Sequence, residues 1–208
     1  MKEIYLVRHG DVEYPTDSSG RKLLYGPDAH LSEVGKKQME ALAQKLPALD
    51  GIYTSPLPRA QKSADIVGKA QIERYGRDLT PIIQEELREP ELGEWVGVLI
   101  DELEKNPNGY DLYSHPKLGQ EPYEQVGERV AQAMRHIVKK LPLQCITVFV
   151  SHGEIVKISI FALEHSGATP PKHSNELSLS DQLKNGEAFR FVLDENNKVI
   201  SKERITPF

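Results

Sequence analysis

Two apolar runs, far apart in the chain, each end in a histidine–glycine corner, and this repetition constrains the fold more than any other feature. The first is Ile4-Tyr5-Leu6-Val7, followed at once by Arg8, His9 and Gly10. The second is Gln144-Cys145-Ile146-Thr147-Val148-Phe149-Val150, followed by Ser151, His152 and Gly153. Short unbroken apolar runs of this kind suit strands buried on both faces of a parallel sheet. One Arg-His pair after a strand is ordinarily an element end meeting water. Two separate corners of the same kind are hard to explain by packing. Open parallel sheets place their working crevice at the carboxyl ends of the strands. Adjacent parallel strands would bring His9 and His152 together.

Around these strands, helical and strand-like patterns alternate, which predicts an α/β chain. The segment from Asp11 to His30 is rich in turn formers such as Pro15, Gly20, Gly26 and Pro27. It reads as a long loop over the carboxyl edge of the sheet, a length uncommon unless functional. Ser32 is a candidate cap for a helix running to Leu46, with Met39, Leu42, Ala43 and Leu46 on one face and Pro47 as the stop. Gly51 to Thr54 reads as a short strand. The prolines after it lead into a helix from Arg59 to Gly68, with Arg59 in the first turn.

From Ile72 to Leu118 the periodicity loosens, which predicts a helical or irregular insertion beside the sheet, including the turn-like Asn106-Pro107-Asn108-Gly109. Trp95, the only tryptophan, reads as a core or hinge anchor. Tyr123 to Leu141 is the clearest helix, striped by Val126, Val130, Ala133, Ile137 and Leu141 and stopped by Pro142. Gly153 to Leu163 reads as the next helix. Leu177-Ser178-Leu179, Phe189 to Leu193 and Val199-Ile200 read as later strands, the last two joined by a hairpin at Asn196-Asn197.

The 208 residues, 38% hydrophobic and 27% charged, suffice for one sizeable core, and residues 1–208 read as a single domain. The net charge of −5 offers no basic surplus for collecting nucleic-acid phosphates. The lone cysteine, Cys145, rules out an intrachain disulfide framework. No run approaches membrane-spanning length and no basic-then-apolar leader opens the chain, so a cytoplasmic location is expected.

Arg8, His9, Arg59, Glu89 and His152 are the side chains whose types define a job. Arginine forks match the oxygens of a phosphate. A neutral imidazole nitrogen can attack phosphorus. A carboxylic acid such as Glu89 can protonate the leaving alkoxide and then act as base on water. The cationic cluster can stabilise the transferring oxygens without a metal. Glu85, Glu86, Glu91 and Glu94 compete with Glu89 for the acid role, Glu86 chief among them.

The sequence resembles the histidine phosphatase superfamily, also called the phosphoglycerate mutase-like family. Five stretches carry the resemblance, in the family's order: Leu6 to Gly10, Leu31 to Gln38, Thr54 to Ala60, Leu87 to Glu89 with Gly93 to Gly97, and Val150 to Gly153. It implies a three-layer α/β/α fold with a mostly parallel central sheet and a helical or irregular insertion over its carboxyl edge. It also implies that His9 becomes phosphohistidine and that Arg8 and Arg59 clamp the phosphoryl group. His152 would donate to a transferring oxygen and Glu89 would protonate the leaving group. No cofactor and no metal are expected.

The chain departs from the family pattern after Gly10. Val12 stands where the family carries a hydroxyl, and Pro15 where it carries an asparagine. Before the long helix, Glu121-Pro122 replaces the family's Glu-Ser. One or two auxiliary phosphate contacts are therefore expected to be missing.

The expected activity is that of a phosphomonoesterase acting on a small phosphorylated metabolite. The alternatives are a phosphoglycerate-mutase-type phosphotransferase and a weak or inactive phosphate-binding protein of the same fold. Arg21, Lys22, His115 and Lys117 are candidates for reading a second anionic group. The oligomeric state is left open, a homodimer included. His30, His115, His136, His165 and His173 show no metal-ligand spacing, and neither a Gly-x-Ser-x-Gly elbow nor a P-loop is present.

Overall fold

The computed structural model describes residues 1–105, 112–113 and 116–208. His115 and Asn106 to Gly109 lie outside them. The elements in chain order are β1 (Lys2–Arg8), α1 (Glu33–Ala43), β2 (Gly51–Thr54), α2 (Pro58–Tyr75), β3 (Ile82–Ile83), α3 (Ile100–Glu104), α4 (Tyr123–Lys140), β4 (Ile146–Ser151), α5 (Gly153–Glu164), β5 (Ala188–Leu193) and β6 (Val199–Ile205). They form one six-stranded sheet of order β3-β2-β4-β1-β5-β6. The pairs β3·β2, β2·β4 and β4·β1 are parallel, and β5 runs against both of its neighbours.

The apolar runs alternate between two cores, as strand side chains must. Ile4, Leu6 and Phe149 pack beneath α4 and α5 with Val130, Met134 and Ile158. Tyr5, Val7, Val148 and Val150 pack against α1 and α2 with Leu42, Ala64 and Val67. The result is the expected three-layer α/β/α arrangement. A third, smaller cluster of Leu24, Leu103 and Leu112, with Trp95 packed against it, joins the loop of residues 11–30 to the insertion.

Register sets up the site. Val7 pairs with Val150 and Arg8 with Ser151, so both strands end level. Thr54 pairs with Val150 from the other side. Gly10 and Gly35 approach so closely that a Cβ on either would collide with the other corner's backbone, which seats the start of α1 against the β1 corner. Ser32 caps that helix by accepting from Gly35 N–H at 3.0 Å.

Four sequence expectations are corrected. Leu177-Ser178-Leu179 is not a strand: short 3₁₀ turns cover Ser174–Glu176 and Leu179–Asp181. Ser178 Oγ accepts from Ser180 N–H at 3.2 Å and starts the second turn, satisfying the backbone locally without a strand neighbour. Helix α1 stops at Ala43, because Lys45 and Leu46 close tighter bonds to the carbonyls of Leu42 and Ala43. Helix α2 runs past Gly68 to Tyr75 and ends where Gly76 turns left-handed at φ 64°. Strand β6 continues beyond Ile200 to Ile205, paired along β5.

Candidate active site

The carboxyl ends of four parallel strands supply the predicted residues in the order the sheet lays them out. Glu89 follows β3, Arg59 stands in the first turn of α2 after β2, His152 follows β4, and Arg8 with His9 closes β1. The two imidazoles meet edge to face with ring centroids 5.1 Å apart. His9 and His152 are fully buried and Arg59 nearly so. All five predicted residues are thus brought to one place.

Each side chain is held from behind. His9 Nδ1 lies 2.7 Å from the Gly10 carbonyl, which can only accept, so Nδ1 carries the ring proton. Arg8 Nη1 donates to the Leu183 carbonyl at 2.8 Å, and Gly153 lies against its guanidinium. Arg59 Nη1 donates to the Pro27 carbonyl at 3.0 Å, its Nη2 engages Glu89, and its guanidinium lies 5.1 Å from the Tyr25 ring centroid. His152 Nε2 lies 2.8 Å from Ser55 Oγ.

What remains unengaged is the informative part. Six buried side-chain nitrogens make no hydrogen bond to the described residues, and four of them are Arg8 Nε, His9 Nε2, Arg59 Nε and His152 Nδ1. Buried polar groups are rarely left unmade without a reason. Three nitrogens able to donate, around one bare imidazole lone pair, suit a tetrahedral oxyanion placed for attack by His9. Burial first, then the charges of Arg59 and Arg8, hold the His9 imidazole well below its ordinary 6.5. Burial, Arg59 and the neighbouring His9 do the same to His152. Both rings are therefore neutral near pH 7.

Among the acidic candidates, Glu89 alone faces this cluster, with Oε2 3.7 Å from His152 Nδ1. Glu86 engages Gln84, and Glu91 pairs with Arg88 at 2.6 Å. Glu121 forks onto Arg129 at 2.8 Å.

A cavity of about 630 Å³ opens against Arg8 and Glu89, walled by Tyr14, Lys22, Tyr25, Tyr113, Glu154 and Lys157 among others. Of the residues expected to read a second anion, Lys22 lines it. Arg21 instead pairs with Asp17, and Lys117 lies 4.0 Å above the Trp95 ring. Val12 is buried, bridged to Leu31, and Pro15 accepts from Leu23 N–H, so both serve the loop's own fold.

Sequence reasoning missed Ser55 and Asn185. Asn185 Nδ2 donates to the His9 and Gly10 carbonyls at 3.2 and 3.1 Å. Ser55 falls within Thr54 to Ala60, and the short strand before it is the available signal. Asn185 sits in a polar segment with no pattern to mark it.

Among the described residues, no group of three or more His, Cys, Asp or Glu is arranged to hold a metal ion, and no helix is long and apolar enough to cross a membrane.

Comparison with known proteins bears on this geometry. The model of the histidine phosphatase superfamily (branch 1) matches residues 4–200. Phosphoserine phosphatase 1 of Hydrogenobacter thermophilus is 36% identical over 113 residues, covering 53% of this chain and 49% of that protein. The chain spans about half the length of the curated relatives it matches. A mycobacterial glucosyl-3-phosphoglycerate phosphatase superposes with TM-score 0.70 at 21% identity, over 98% of this chain and 97% of that one. A phosphoserine phosphatase of Entamoeba histolytica, solved with 3-phosphoglyceric acid, gives TM-score 0.69 at 24% identity over 100% and 99%. At such identities the structural likeness is one of fold.

Proposed function

Because this chain belongs to the histidine phosphatase superfamily, we propose that it is a metal-independent phosphomonoesterase that works through a phosphohistidine intermediate on a small phosphorylated metabolite, with residues 1–208 acting as one domain. The observation that carries the reading is the set of four unengaged buried nitrogens around two imidazoles 5.1 Å apart.

His9 Nε2 attacks phosphorus while the ester P–O bond breaks. Arg8, Arg59 and His152 hold the equatorial oxygens, where charge must be met without reorganisation. Glu89 gives its proton to the departing alkoxide. It then takes one from a water whose oxygen attacks phosphorus. The P–N bond breaks, and inorganic phosphate leaves with His9 restored. The cavity beside Glu89 has room for that water and for the departing alcohol.

The test is a hydrolysis panel without added metal, run beside His9→Ala. Phosphoserine and 3-phosphoglycerate belong in it, since relatives are named for or solved with such compounds. Turnover by the unmodified chain and acid-labile phosphate trapped on His9 are expected. Turnover that survives His9→Ala would overturn the reading.

A further inference from the structure

The hydrogen bond behind His152 decides what that ring offers to the site. Ser55 stands one residue beyond β2, and His152 one residue beyond the neighbouring β4, so strand register brings them together. Both are fully buried. Ser55 Oγ accepts from Leu57 N–H at 3.3 Å and lies 2.8 Å from His152 Nε2. Among the described residues, Nε2 is the group within reach that could accept its hydroxyl proton.

The opposite arrangement leaves a buried hydroxyl proton unsatisfied. With the proton on Nε2, the Ser55 hydroxyl proton would have no partner in a buried site. The Nδ1 lone pair would then stand where a phosphoryl oxygen needs a donor, with Glu89 Oε2 3.7 Å away. A neutral imidazole carries its proton on one nitrogen only, and the other partner fixes which. We propose that Ser55 is a positioning residue: by donating to Nε2 it places the His152 proton on Nδ1, aimed at the transferring phosphoryl oxygen.

The kinetic consequence rests on the phosphatase reading above, but the position of the proton does not. The first measurement is ¹⁵N NMR of the His152 ring in the full chain at pH 7.5. A protonated Nδ1 and a bare Nε2 are expected, and a protonated Nε2 would overturn the proposal. Ser55→Ala should give a mixture of tautomers and lower kcat about 10- to 100-fold, with KM within a few-fold. Ser55→Thr, which keeps the hydroxyl, should restore both. An Ser55→Ala protein with unchanged kcat and an unchanged tautomer would also overturn it. Should Ser55→Ala not fold, the spectrum of the unmodified chain decides. A chain without any turnover would sink the phosphatase reading, while the ring spectrum would still decide this one.

Discussion

At the end of β1, His9 gives Nδ1–H to the Gly10 carbonyl at 2.7 Å and turns Nε2 toward the site. At the end of β4, His152 is held at Nε2 by the Ser55 hydroxyl at 2.8 Å and turns Nδ1 toward it. Both rings are buried and neutral, and both follow a strand and precede a glycine. A carbonyl can only accept, so His9 presents a lone pair. A hydroxyl can also donate, and with Ser55 donating to Nε2 His152 presents a proton. One strand–His–Gly device thus yields a nucleophile or a donor according to the single group behind the ring.

The sharpest way to break this contrast is to remove each ring in turn. His9→Asn should lower kcat by at least about 10⁴-fold, because no other group can take the phosphoryl. His152→Asn should lower it about 10²- to 10³-fold, the usual cost of one oxyanion donor. Equal losses in steady-state assays would mean that the two corners are interchangeable.

Glu89→Gln divides the two half-reactions. With an alkyl phosphate the loss should reach about 10²-fold or more, since the alkoxide leaves without a proton. With a nitrophenyl phosphate, phosphorylation of His9 should be nearly unaffected in single-turnover bursts. A uniform loss across leaving groups would remove Glu89 from the acid role.

Much of this was legible in the residues. Unbroken apolar runs identified β1 and β4, and the identity of the residue after each run placed Arg8, His9 and His152. The stripe on α4 was legible because helical periodicity survives tertiary context. Leu177-Ser178-Leu179 misled because two leucines flanking a serine fit a strand or a capped turn equally well, and only the missing neighbour decides. Glu89 could not be separated from Glu86 by pattern; contact with Arg59 does that. Asn185 works through backbone carbonyls 176 and 175 residues away in sequence, and nothing local announces it.

The pair also differs from ordinary surface histidines in its effect on stability. In the folded chain each ring takes a proton only well below 6.5, whereas the unfolded chain takes it near 6.5. Below that value the unfolded state binds more protons, so stability falls as the pH drops; above it the contribution is flat. Each ring adds at most about 1.4 kcal/mol per pH unit. Urea unfolding between pH 5 and 7.5 should show this slope, and His9→Asn and His152→Asn should each reduce it. An unchanged slope in either variant would mean that its ring is not held neutral.

The smallest effect tests whether the β1 corner depends on its neighbours as the β4 corner does. Asn185 shares the Gly10 carbonyl with His9 Nδ1. The carbonyl remains covalently next to the ring whatever stands at 185, and it still has nothing to donate. Asn185→Ala should therefore cost about 1 kcal/mol of stability through lost hydrogen bonds. The His9 tautomer should stay unchanged in ¹⁵N spectra, and kcat should fall less than about 10-fold. The first corner carries its tautomer in the backbone and the second takes it from a side chain on another strand, so only the second should be switchable by one substitution. A His9 ring that changes tautomer in Asn185→Ala would erase that difference.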